Sequence, residues 1–174
     1  MARGALPVRA IVGAVAGCAM LVAGCGGASP SFPEEAACPA PSPLPTSRTQ
    51  AGVVPPNFYL SRVRTSADNL VKFRSDLRAK YADDTFYRRD EFRPDFAAYA
   101  DQTVCTAQAM LDLSPPDARF EQFETKLDDA LNALIEHTRA GREAVRARNV
   151  SAYRKWYAGA DAKIEAVRAA AYAR

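Results

Sequence analysis

From Asn57 onward, apolar residues return every third or fourth position, and no stretch sustains the two-residue rhythm of a half-buried strand. That period admits helices and little else. Val63, Ala67, Leu70, Phe73, Leu77 and Tyr81 form one stripe, with Arg62, Arg64, Asp68, Lys72, Arg74, Asp76 and Arg78 between them. The spacing predicts a helix of about 25 residues, capped by Asn57 after Pro55-Pro56. A polar connection from Ala82 to Arg93 leads to Pro94, suited to the first turn of a second helix, with Asp95 near the positive end of its dipole. Phe96, Ala100, Val104, Ala107 and Leu111 are its buried side. Ser114-Pro115-Pro116-Asp117 opens a third helix whose stripe runs Phe120, Phe123, Leu127, Leu131, Leu134, Thr138, Gly141 and Val145. Its charges sort along the axis as the macrodipole favours: Asp117, Glu121, Glu124, Asp128 and Asp129 come first, then Arg139, Arg142, Arg146 and Arg148. Asn149 and Ser151 mark a tight turn, and Tyr153, Trp156, Ala160, Ile164, Val167 and Ala171 define a fourth helix. Four amphipathic helices with short connections predict an all-α antiparallel four-helix bundle over residues 57–174.

The amino-terminal stretch has another character. Arg3 and Arg9 precede an uncharged apolar run, Ala10 to Ala23, of about 14 residues; at ~1.5 Å each it is too short for a ~30 Å hydrocarbon core and suits a cleaved export signal. Leu21-Val22-Ala23-Gly24-Cys25 resembles the lipobox of bacterial lipoproteins, in which a branched apolar residue and two small ones precede a cysteine. The resemblance implies that residues 1–24 are a signal peptide and that Cys25 becomes the lipidated first residue, placing the chain on the extracytoplasmic side of a bacterial inner or outer membrane. The alternative is an ordinary secretory signal with Cys18 and Cys25 as small apolar filler.

Loss of Arg3 and Arg9 lowers the formal charge from +3 to about +1, without the basic footprint that nucleic acid requires. Residues 25–56 hold eight of the twelve prolines, so no helix forms there, and an extended linker or stalk is expected. Cys18 leaves with the signal, and the resemblance assigns the thiol of Cys25 to lipid. Cys38 and Cys105 remain, and in an exported chain their pairing is the economical expectation, folding the stalk back onto the second helix. The loop so closed, about 68 residues, is worth on the order of 4 kcal/mol by chain entropy. A buried Cys105 with a free Cys38 is the alternative.

The stretch Leu113-Ser114-Pro115-Pro116, Phe120, Leu127, Ala130, Gly141 and Ala144, followed by an alanine-rich helix to Ala171, is similar to a recurrent group of small helical lipoproteins in bacteria. Those often have a histidine shortly after the proline pair, where this chain offers Phe120 and Phe123. No catalytic or binding residue carries over.

Chemistry is sparse. His137 is the only histidine, so any nucleophilic or imidazole device must be built on it, and the expected role is a hydrogen-bonded histidine at the edge of the core. The Glu-x-x-His pairs of di-iron bundles are missing, because Leu134 stands three before His137, and there is no Cys-x-x-Cys-His haem attachment. Met110 and His137 alone make a weak haem case. The adjacent acids Asp83-Asp84 and Asp128-Asp129 fit a solvated face. Phe86-Tyr87-Arg88-Arg89-Asp90-Glu91-Phe92-Arg93 mixes aromatics with bases, yet nearby acids outnumber its arginines, predicting local neutralisation. Tyr153, Trp156 and Tyr157 have core spacing. Neither catalytic nor metal nor cofactor residues are expected. The favoured expectation is a non-enzymatic binding or assembly factor of the cell envelope, attached by lipid and able to meet an envelope protein, with no nucleic-acid partner. A small-molecule carrier or sensor comes second and an envelope enzyme third.

Overall fold

The structure is a computed structural model that describes residues 31–40, 42–44 and 54–173. The chain divides into Met1–Ser31 and Phe32–Arg174, and all described residues but Ser31 belong to the second unit. The described residues of that unit form four α-helices: α1 (Pro56–Lys80), α2 (Phe92–Leu111), α3 (Glu121–Arg146) and α4 (Val150–Tyr172). One-turn 3₁₀ segments at Phe86–Arg88 and Ala118–Phe120 lead into α2 and α3. Each helix packs on its neighbours in sequence, and α1 closes the ring against α4, which makes the expected antiparallel four-helix bundle. Among the described residues no helix is long and apolar enough to cross a membrane.

Helix starts differ from the sequence expectation in instructive ways. Asn57 does not cap α1: Pro55 occupies the cap position with no side-chain bond, Pro56 begins the helix, and the Phe58 and Tyr59 amides reach Pro55 O. Two prolines carry no amide hydrogen to leave orphaned, so the start tolerates the missing cap. Pro94, the third residue of α2, does lie in the first turn as expected, where the amides have no helical acceptor. Asp117 caps the 3₁₀ turn before α3 by accepting from Arg119 N at 2.9 Å. Asn149 caps α4 by accepting from Ala152 N at 3.1 Å, so the predicted turn residue is also the start signal.

The α3–α4 corner is a Schellman turn. Asn149 N donates to Ala144 O at 2.8 Å and Arg148 N to Val145 O at 3.2 Å, with Arg148 itself at φ 53°. Glycine is the usual occupant of that left-handed position. Arginine bears the steric cost here, and its guanidinium pairs with Asp90 at 3.1 Å.

The interior consists of two apolar clusters. One holds Val63, Leu70, Leu127, Leu131, Leu134 and Val167, all at most 1% exposed. The other, nearer the carboxyl end of α3, is aromatic: Phe92, Phe96, Tyr99, Tyr153 and Trp156 meet largely edge to face, with Phe96 and Trp156 centroids 4.7 Å apart. Burial of such side chains supplies about 1.5–3 kcal/mol each. Phe73, expected in the α1 stripe, is only half-buried. Arg74 takes the buried register between Leu70 and Leu77.

Candidate functional site

Between the two clusters lies a polar waist, and Arg74 is its centre. It is 5% exposed, and its guanidinium sits 5.1 Å from the Trp156 ring centroid and 4.9 Å from that of Tyr157. Nε donates to Asp161 Oδ1 at 2.7 Å, while Arg78 Nη1 donates to the other carboxylate oxygen at 2.9 Å. Arg74 Nη2 is buried with no partner, and so is Trp156 Nε1. Thr103 Oγ1 is likewise without a well-aligned bond, and its polar neighbour is the Tyr99 hydroxyl, which burial holds above the ordinary tyrosine range. Buried donors without acceptors each cost about 1–3 kcal/mol, so the waist is retained at some expense to stability. On the outside, Val71, Arg74, Ser75, Arg78, Asp161 and Ile164 line an α1–α4 groove of about 300 Å³.

Two glycines let the helices close on this centre. A Cβ on Gly141 would stand 2.4 Å from Trp156 Cδ1, and one on Gly159 would stand 2.9 Å from His137 Cε1. His137 Nε2 lies 2.9 Å from Trp156 O, an acceptor only, so Nε2 carries the proton and donates. Burial, followed by the Lys163 and Arg74 charges, pulls its pKa below the usual value against the opposing pull of that bond. The neutral ring lies nearly parallel to the indole, at 24° and 6.4 Å. This is the hydrogen-bonded boundary histidine that the sequence suggested.

A second assembly joins residues 31–44 to the bundle. Cys38 and Cys105 are bridged, with Cα atoms 5.0 Å apart, so the expected pairing is formed. Upstream, Phe32 packs between the guanidinia of Arg93 and Arg142 at 5.5 and 5.3 Å. Arg142, 8% exposed, makes three bonds: Nη1 donates to Asp101 Oδ1 at 2.7 Å and Ala97 O at 3.1 Å, and Nη2 donates to Pro33 O at 2.8 Å. Glu35 accepts from Arg139 at 3.1 Å, and downstream Ser42 O accepts from Arg62 at 3.4 Å. The described part of the proline-rich stretch is therefore a strap running from α3 across α2 to α1. Expected as an extended linker that the cystine folds back onto α2, it is also held at α3, by Arg142 through Pro33 O and by Arg139 through Glu35.

The other sequence candidates separate. Cys25 lies outside the described residues. Met110 is buried in the aliphatic cluster, whereas His137 sits at the α3–α4 seam. Tyr153 and Trp156 are core and Tyr157 is half-buried beside them. In the mixed segment before α2 only Arg89 pairs locally, with Glu91, while Asp84 and Asp90 are met by Arg154 and Arg148 from outside it, so the local neutralisation expected of the sequence is formed only in part. Among the described residues no group of three or more His, Cys, Asp or Glu is placed to hold a metal ion. By sequence Arg74 stands among the residues between the stripe positions of α1 and Arg142 among the late charges of α3, yet both are buried. Their register gave the signal: Val63, Ala67, Leu70, Arg74, Leu77 and Tyr81 keep an unbroken four-three spacing, and Arg142 follows the stripe residue Gly141. Comparison with protein-family models, curated proteins and solved structures finds no significant match to this chain.

Proposed function

We propose that the mature chain is a lipid-anchored, extracytoplasmic helical module of the bacterial cell envelope that binds or helps assemble a protein partner and is not an enzyme. The observation that carries the proposal is Leu21-Val22-Ala23-Gly24-Cys25 at the end of an apolar run of signal length. The cystine adds support, since such bridges persist outside the cytoplasm. So does the way the polar groups are spent: Arg142 and His137 serve the packing of strap and helix, and among the described residues no nucleophile, base and orienting group converge. Changing Cys25→Ser tests the anchor: the exported variant is expected to leave the membrane fraction, and unchanged partitioning rejects the lipoprotein assignment. Cross-linking in intact cells tests the partner.

A small-molecule carrier or sensor is the second proposal, favoured by one feature. Arg74 Nη2, at the α1–α4 groove, and Trp156 Nε1, at the α3–α4 seam, are buried donors without acceptors. A carrier purified gently from its source would bring a stoichiometric small molecule visible by native mass spectrometry, which Asp161→Ala or Arg74→Met would release.

A further inference from the structure

We infer that the strap sets how far the bundle stands from the membrane and which end faces it, an inference that rests on the lipid anchor proposed at Cys25. Among the described residues the first held on the bundle is Phe32, near Arg93 at the start of α2 and Arg142 near the end of α3. Only six residues, 26–31, separate it from Cys25. At ~3.3–3.6 Å per residue that span reaches at most about 25 Å. If Phe32 and Pro33 let go, the cystine still limits the span, because Cys38 follows Cys25 after twelve residues, a reach of at most about 45 Å. Without cystine and latch the span extends to α1 at Pro56 and reaches roughly 100 Å. The proline-rich stretch, a long stalk on sequence grounds, is thus mostly removed from the tether. The bundle is moored at one corner.

That corner also orients it. Phe32 lies toward the end of the bundle that carries the start of α2 and the α3–α4 turn. The opposite end carries Asp117, the start of α3 and, among the described residues, the two large hydrophobic side chains left exposed, Phe58 and Tyr172. The 26 residues of α3 put the two ends ~39 Å apart at ~1.5 Å per residue. The mooring corner faces the bilayer, and the far end with Phe58 and Tyr172 faces the periplasmic or external space.

Energy transfer to a lipid-headgroup acceptor tests this on the full lipidated chain in vesicles. A dye is placed through a non-thiol unnatural residue at position 146 or, separately, at 119, the side chains there being 63% and 83% exposed. Flotation with the vesicles is read first, so that failure of the anchor is recognised before any distance is measured, and it overturns both proposals. In the floated chain transfer should be high from 146 and low from 119. Cys38→Ser/Cys105→Ser with Phe32→Ser should lose most of the transfer from 146 while keeping the helical circular dichroism of the parent. Insertion of about twelve Gly and Ser residues between Ser29 and Pro30, which leaves strap and cystine untouched, should lose it too. Equal transfer from both ends, or a signal at 146 that survives both strap release and insertion, overturns the inference.

Discussion

Arg74 shows how a single side chain can contradict a helical wheel and still obey it. Its register is buried, its chemistry is charged, and the conflict is settled by Asp161, which is 51% exposed and so keeps its own hydration while holding a guanidinium that has lost most of its water. The two partners are therefore unequal. Arg74→Met leaves Asp161 paired with Arg78 and fills the space with hydrocarbon, and its stability should stay within about 1 kcal/mol of the parent. Asp161→Ala strands the buried cation against Trp156 and Tyr157 and should cost about 2–3 kcal/mol, less than a fully buried pair because the rings hold the charge in part. Urea midpoints of the two variants check the asymmetry, and equal losses would refute it. His137 gives a pH dependence at the same scale. Its folded pKa is depressed below the ordinary 6.5, so protons bind the unfolded chain better; stability is full above that value and declines as pH falls from it toward the lower folded pKa. His137→Gln should flatten that part of the urea-midpoint profile and leave the midpoint at pH 8 nearly unchanged. The histidine's place beside the stripe could be read from spacing. The loss of its free Nε2 to Trp156 O could not, because that bond depends on how closely Gly159 lets α4 approach.

At the scale of elements, the four stripes predicted four helices because each carries enough apolar periodicity to require a partner, and that requirement survives errors at the ends. The starts were misjudged where local chemistry competes. Asn57 has a capping side chain, but the chain before it is two prolines that already satisfy a helix start, so the cap is not used. The α3–α4 corner offers a sharper case. Residues 147–149 give no glycine, the usual sign of a helix end, yet a Schellman turn forms with Arg148 in the left-handed region. A non-glycine residue there costs about 1–2 kcal/mol, and the exposed Arg148–Asp90 pair returns at most about 1. Arg148→Gly should therefore raise stability by up to about 1 kcal/mol, seen as a higher denaturant midpoint with unchanged slope. The tightness of the same helix pair explains Gly141. Any Cβ there displaces the indole of Trp156, so this glycine of the buried stripe is what lets α3 and α4 touch.

On the scale of the whole molecule, the cystine divides the labour between covalent and packed structure. Pairing of Cys38 with Cys105 was legible from cysteine arithmetic and the expectation of export, but the route of residues 31–44 was not, since nothing in a proline-rich sequence says which arginine will take Pro33 O. The bridge closes a sequence separation of 67 residues, which by loop entropy restricts the unfolded chain by about 4 kcal/mol. The strap's own contacts are weaker. Most of residues 33–43 that are described are exposed, Glu35–Arg139 is a surface pair of at most about 1 kcal/mol, and Arg142 would regain water on losing Pro33 O. If stability comes from the constraint on the unfolded state, Cys38→Ser/Cys105→Ser and a fragment starting at Val54 should be destabilised alike. Both should keep the helical circular dichroism of the parent, fall within about 1 kcal/mol of each other, and melt roughly 10 °C below the oxidised chain, at ~2–4 °C per kcal/mol for a domain of this size. Calorimetry of the three proteins decides it. A fragment much weaker than the serine variant would mean that Phe32, Pro33 and Leu44 hold the bundle by packing, and the bridge would then be the fastening of a structural layer instead of a restraint on the unfolded chain.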